Sequence, residues 1–107
     1  MPTEEEMQEF RAYSQQYQMV VMQKQSLEAR NAEIQNTLKE LDAAKGKVYF
    51  ATGAVLIEST KDDVKKRLDD QKKEAEEGLE KLGPQEEKIK KRLEELQKKL
   101  RESEKDE

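Results

Sequence analysis

The stretch "KVYFATGAVLIEST", residues 47–60, decides how this chain is read. It is rich in β-branched and aromatic residues, whereas Glu, Lys, Gln and Leu dominate the sequence on both sides. Val48, Tyr49, Phe50, Ala51 and then Ala54, Val55, Leu56, Ile57 form two short strand-like runs around Thr52-Gly53. Gly53 takes a positive φ at little cost, but β-branched Thr52 does not. A type I′ turn on those two residues is therefore disfavoured, and a loop of three or four residues with Gly53 left-handed is expected. In a strand Val48 and Phe50 share a face and Tyr49 lies on the other, while Val55 and Ile57 likewise oppose Leu56. Both faces of the ribbon are apolar. A lone two-stranded hairpin is marginal in water and has unpaired edges. Burying Val48, Phe50, Val55 and Ile57 is worth about 1.5–3 kcal/mol each, and a chain this polar offers them little cover. The segment is thus expected to reverse the chain and to join it to other chains through Val48, Tyr49, Phe50, Gly53, Val55, Leu56 and Ile57. Packing of the hairpin onto its own helix ends alone is the alternative.

Outward from this midpoint the apolar period changes from two to three and four. On the N-terminal side the series Phe10, Tyr13, Tyr17, Val20, Lys24, Leu27, Asn31, Ile34, Leu38, Leu41 is apolar or aromatic at all but Lys24 and Asn31. On the C-terminal side Leu68, Lys72, Ala75, Leu79, Leu82, Glu86, Ile89, Leu93, Leu96, Leu100, Ser103 is apolar at all but Lys72, Glu86 and Ser103. Each is a heptad seam that predicts a coiled-coil helix. Thr3 with Glu6 reads as a capping box at the first helix, Gly46 as its C-terminal cap, and Thr60 with Asp62 and Asp63 as the start of the second. Glu77–Lys81, Glu86–Lys90, Glu87–Lys91, Glu94–Lys98 and Glu95–Lys99 are spaced for favourable i,i+4 ion pairs. Gly83-Pro84 interrupts the second seam without shifting its phase and predicts a kink. Folded antiparallel, the two stripes cover each other. Counting from the turn sets Asn31 near Lys72 and Tyr17 near Glu86, so that polar interruptions of one seam meet polar groups of the other and fix the register.

Composition agrees. The chain has 107 residues, 33% hydrophobic and 43% charged, against ~45–50% and ~25% in ordinary globular domains. One small unit with a narrow seam suits these values better than a wide core. The net charge of −4, from 25 acidic and 21 basic residues, is spread along the chain and argues against a nucleic-acid or membrane partner. The run Lys88, Lys90, Lys91, Arg92 is flanked by Glu86, Glu87, Glu94 and Glu95 and reads as a solvated face. There is no cysteine or histidine, which removes thiol chemistry and the commonest general base and metal ligand. No catalytic, cofactor-binding or metal site is expected, and the chain does not read as an enzyme. The N-terminal "MPTEEEMQEF" lacks the basic and apolar regions of a signal peptide, and no window approaches the ~18 apolar residues of a membrane span. A cytoplasmic protein is the expectation.

The helix, the "VYFATGAVLIEST" segment and the following "KDDVKKRLDDQKKEAEEGLEKLGPQEEKIKKRLEELQKKL" together resemble the beta class of prefoldin, over about residues 7–101. The resembling features are Val48-Tyr49, Gly53, Val55-Leu56-Ile57, the Asp-rich helix start and the "QEEKIKKRLEELQKKL" ending. The resemblance implies a mainly α fold: a long antiparallel two-helix coiled coil joined by one β-hairpin, with hairpins assembling into an intersubunit β-barrel. It implies one prefoldin-like domain over 1–107, divided into helix 4–45, hairpin 47–58, helix 61–103 and a disordered tail 104–107. It further implies a hetero-hexamer with an alpha-class subunit and other beta subunits. The activity implied is an ATP-independent chaperone that holds unfolded proteins at the coiled-coil tips and passes them to a group II chaperonin. In this chain the tip residues are Met7, Phe10, Tyr13, Tyr17, Leu93, Leu96 and Leu100, where fraying ends present flexible Met and amphipathic Tyr. The competing reading is a structural coiled-coil adaptor or tether without chaperone activity.

Overall fold

The computed structural model describes residues 2–105. Its elements in chain order are helix α1 (Glu4–Ala43), strand β1 (Val48–Thr52), strand β2 (Val55–Ser59) and helix α2 (Lys61–Lys105). Both helices start where a threonine caps them. The Glu6 N–H donates to Thr3 Oγ1 at 3.1 Å, and the Asp63 N–H donates to Thr60 Oγ1 at 3.1 Å. Acidic residues fill both first turns, Glu4, Glu5 and Glu6 in α1 and Asp62 and Asp63 in α2, which suits the positive end of a helix dipole. α1 stops at Ala43, two residues before the expected end. Ala44 closes the last turn on the Leu41 carbonyl at 3.2 Å, and Gly46 then takes a φ of 91° to lead the chain into β1.

The chain divides into two compact units, one made of residues up to Ser26 and from Leu79 onward, the other of Leu27–Gly78. In the first unit the buried apolar residues are Val20, Leu82 and Leu96; in the second they are Ile34, Leu41 and Ala75. All lie on the two heptad stripes read from the sequence, which is why so polar a chain holds two long helices. In the second unit Leu27 lies against Gly78 so closely that a Cβ there would stand 3.0 Å from Leu27 Cδ1. Gly78 thus gives Leu27 its place, a role that the apolar pattern alone does not reveal.

α2 passes through Gly83-Pro84 as one helix. Two features make this tolerable. Gly83 has no Cβ to meet the proline ring, and Pro84 is exposed, so that water can serve the carbonyl whose helical partner is missing. The tail expected to begin at residue 104 is instead helical through Lys105. Each further residue of an existing helix adds a hydrogen bond without a new nucleation step. Asp106 and Glu107 lie outside the described residues.

The hairpin corrects the expected loop. β1 pairs antiparallel with β2 in the register Val48↔Ser59, Tyr49↔Glu58, Phe50↔Ile57, Ala51↔Leu56, Thr52↔Val55. The connection is two residues long, Gly53-Ala54, and not three or four. The turn falls one residue later than Thr52-Gly53, so Thr52 stays in the strand and only Gly53 has positive φ, at 59°. A left-handed glycine first and an ordinary residue second is the type II′ pattern, one of the turns that fit the twist of paired strands.

The expected ion pairs are also redistributed. Among the described residues none of the five Glu–Lys i,i+4 pairs closes to ion-pair distance. Exposed pairs of that kind gain little against the entropy of two long side chains. Glu86 meets Lys24 Nζ at 3.2 Å, and not Tyr17. Both are polar interruptions of their seams, so the matching principle holds with a different partner, reached by the length of the lysine. Asn31 behaves otherwise: its Oδ1 is buried and accepts no hydrogen bond among the described residues.

Candidate functional site

The hairpin register sorts its side chains into two faces. One carries Val48, Phe50, Thr52, Val55, Ile57 and Ser59; the other carries Tyr49, Ala51, Leu56 and Glu58. The first is partly covered, with Val48, Phe50 and Ser59 half-buried and the Arg67 guanidinium carbon 4.2 Å from the Phe50 ring centre. Arg67 comes from the second turn of α2, so the helix start supplies a cation over an aromatic face. The second face is open. Tyr49 is 53% and Leu56 71% exposed, and on the first face Val55 and Ile57 remain 59% and 42% exposed. Lys47 and Glu58 border the Tyr49–Leu56 patch with an exposed ion pair of 3.6 Å. Four large apolar side chains thus face solvent on twelve residues of ribbon from Val48 to Ser59. A soluble surface seldom concentrates apolar groups in this way unless it has a partner. Gly53 contributes backbone shape only, with open space around its Cα.

The residues expected at the tips fall in the first unit. Met7, Phe10 and Leu100 come together with Pro2 and Arg11 around a groove of about 320 Å³. Met7 is 44% exposed, and Phe10, Tyr13, Tyr17, Leu93 and Leu100 are half-buried. Leu96 is different: at 1% exposure it is the most enclosed side chain described. It reaches a visitor only if the helix ends separate.

In the same unit an ion cluster joins α1 to α2. Arg92 Nη2 lies 2.6 Å from Glu9 Oε1, its Nε donates to the same oxygen at 2.8 Å, and its Nη1 lies 3.0 Å from Glu95 Oε2. Hydrogen bonds to Glu9 first and Glu95 second hold the Arg92 guanidinium above its ordinary value. The part of the stability tied to the raised arginine value is lost only as pH rises through and above the ordinary arginine range, so it gives no pH dependence near neutrality.

Two exposed groups escape the heptad reading. Met19 is 61% and Met22 68% exposed. They lie three residues apart on one side of α1, away from the seam, within a run from Ala12 to Gln23 that carries no charged side chain. In a chain so rich in charge, that uncharged run was the available signal. Arg67 over Phe50 left none, because it depends on the register of the hairpin against α2. Among the described residues no helix is long and apolar enough to cross a membrane.

The chain matches the family model for prefoldin subunits over residues 4–107. Its fold is similar to the crystal structure of the prefoldin beta subunit from Thermococcus strain KS-1, with TM-score 0.80 and 28% identity over 92% of this chain and 88% of that one. It is also similar to the prefoldin beta2 subunit from the same strain, with TM-score 0.71 and 24% identity over 84% of this chain and 95% of that one. Comparison of the sequence with curated proteins finds no match.

Proposed function

The chain belongs to the prefoldin subunit family, as a beta-class member, and from that premise we propose that it is the subunit of an ATP-independent holding chaperone. The hairpin joins it to an alpha-class subunit and to other beta-class copies in a hexamer. The helix ends hold unfolded proteins and release them to a group II chaperonin in the cytoplasm. The observation that carries this reading is the exposure of Tyr49, Val55, Leu56 and Ile57. Covering each such side chain is worth about 1.5–3 kcal/mol, and strand edges beside them offer hydrogen bonds to a further ribbon. Gly53 keeps the turn tight enough for ribbons to approach one another.

At the other functional surface Met7, Phe10 and Leu100 already border a groove. Tyr13, Tyr17 and Leu93 of the same unit are half-covered. Helix ends open at little free-energy cost, and opening would bring enclosed Leu96 into reach. Holding needs no nucleotide in this scheme, because a non-native apolar segment simply replaces seam contacts with its own.

The test has two arms. Leu56→Lys with Ile57→Lys should leave the helices folded but reduce the solution mass of the complex formed with an alpha-class partner. Removal of residues 1–13 and 96–107 should leave assembly intact and abolish suppression of client aggregation in the absence of ATP. A chain that stays monomeric beside its partner, or a trimmed complex that holds clients as well as the intact one, would falsify the reading. An adaptor without holding activity would assemble yet suppress no aggregation at either length.

A further inference from the structure

Within the first unit, α2 combines a weak point in its backbone with a fastening to α1. The weak point is Gly83-Pro84. Pro84 has no N–H to give the Glu80 carbonyl, and its ring crowds that carbonyl. Gly83 is the residue type least restrained by its own side chain. Both are exposed, so packing does little to stiffen this place. α2 is continuous here, yet it lacks one rung of its ladder, and helices bend at such points. The fastening is Arg92–Glu9, about two turns further on. Nε and Nη2 of Arg92 both reach Glu9 Oε1, at 2.8 and 2.6 Å. Glu9 has Glu5, Glu6, Ala12 and Tyr13 at its helical i±3 and i±4 positions, so its own helix supplies two repelling carboxylates and no cation. Arg92 has a second partner on its own helix, Glu95 Oε2 at 3.0 Å. The pair can therefore part without stranding the guanidinium, which stays with Glu95. Both side chains also keep about a third of their surface in water, 32% for Arg92 and 35% for Glu9, so parting leaves no buried bare charge. Among the described residues the other ion pair between α1 and α2 in this unit is Lys24–Glu86, two residues past Pro84 and so near the weak point that a swing there moves it little. One turn beyond Arg92 lies Leu96, 1% exposed, which a client reaches only when the helix ends part.

We propose that Arg92–Glu9 is a latch and Gly83-Pro84 its hinge: when the pair parts, the length of α2 after Pro84 swings from α1 as a helix and uncovers Leu96 to a non-native segment. A swing keeps the backbone ladder beyond Gln85 intact, whereas fraying breaks it turn by turn from the end. A partly exposed ion pair contributes little, which suits a latch. The closed form prevails, the open form is populated, and salt shifts the balance. This inference rests on the holding-chaperone reading and adds to it the control of the tip surface.

The chain has no cysteine, so Gln8→Cys and Gln97→Cys, both at exposed positions, place one spin label on each helix and none elsewhere. The labelled chain is diluted into unlabelled copies, assembled with an alpha-class partner, and its label-to-label distances are recorded. A minor long-distance population should accompany the closed one. Arg92→Met, checked for unchanged helicity by circular dichroism, should enlarge it about two- to fivefold, the effect of losing a partly exposed ion pair. Salt at about 0.5 M should enlarge it in the native chain and not in that variant. Pro84→Ala, which restores the missing donor, should shrink it. Capture of a labelled unfolded polypeptide should rise and fall with the open population. A population unmoved by Arg92→Met, or unmoved by Pro84→Ala as simple fraying would give, overturns the proposal even when client holding is intact, and so does capture that ignores the open population. Ends that part as described in a native complex that holds no client overturn the chaperone reading, and with it the role assigned to the latch.

Discussion

Leu56 and Leu82 are the same side chain in two settings. Leu82 sits in the heptad stripe of α2 and is 9% exposed; Leu56 sits on the open face of the hairpin and is 71% exposed. The difference comes from the period of the surrounding sequence. At helical spacing apolar residues collect on one stripe that a second helix in the same chain can cover. At strand spacing they alternate onto two faces, and a two-stranded ribbon has nothing to lay over the second. Within one chain, then, the helices are internally satisfied and the hairpin is not. On the proposed function, folding and assembly are served by different residues.

The sharpest way to break this comparison is to make one change at both places. Leu82→Ala should cost about 2–5 kcal/mol of stability, the usual penalty for emptying an enclosed leucine site, seen as a lower midpoint in urea by helical circular dichroism. Leu56→Ala should leave the melt of the dilute chain nearly unmoved and weaken only its association. Equal shifts for the two variants would show that the hairpin is sheltered after all. A smaller effect of opposite sign is expected at Asn31. Its buried Oδ1 has no hydrogen-bond partner among the described residues, and orphaned polar groups cost about 1–3 kcal/mol. Asn31→Leu should therefore stabilise the chain by up to that amount, while any role in alignment should appear as altered oligomer mass or scrambled disulfide cross-linking between introduced cysteines. The smallest effect concerns the covered face of the hairpin. Arg67→Ala removes the cation over Phe50 and should cost about 0.5–1 kcal/mol, detectable as faster amide exchange at Phe50 and Ile57 with the helices unchanged. Helix-wide loss of protection would mean that Arg67 supports more than the ribbon.

Much of this was legible in the amino-acid order. Both helices begin after the threonines that the capping pattern singles out. The enclosed residues Val20, Ile34, Leu41, Ala75, Leu82 and Leu96 all lie on the stripes obtained by counting threes and fours. The ribbon was recognisable because Val48–Phe50 and Val55–Ile57 break that count. What escaped has a common physical cause. A turn shifts by one residue when a glycine can serve in more than one position, and Thr52 and Ala54 differ too little in local preference to announce which is in the strand. Lysine, arginine and glutamate reach far enough to choose among several partners, so Lys24–Glu86 and the Arg92 cluster could not be inferred from i,i+4 spacing. Gly78 was invisible because its contribution is an absence of atoms beside Leu27. The tip set shows the same limit: heptad counting gathers Leu96 with Phe10, yet it cannot separate the most enclosed member of the stripes from a half-buried one.

The Gly53-Ala54 connection has a consequence beyond its own two residues. A mirror-image turn of this kind accommodates strongly right-handed strands, so every copy of the chain would offer neighbours a ribbon coiled in one rotational sense. Flat ribbons stacked side by side can lengthen indefinitely into fibres. Ribbons with a fixed screw sense veer as they accumulate, and with matching strand number and stagger the last edge can meet the first, leaving no free border. For the proposed assembly, the stereochemistry of one small turn thus favours a closed ring of limited size over open-ended growth.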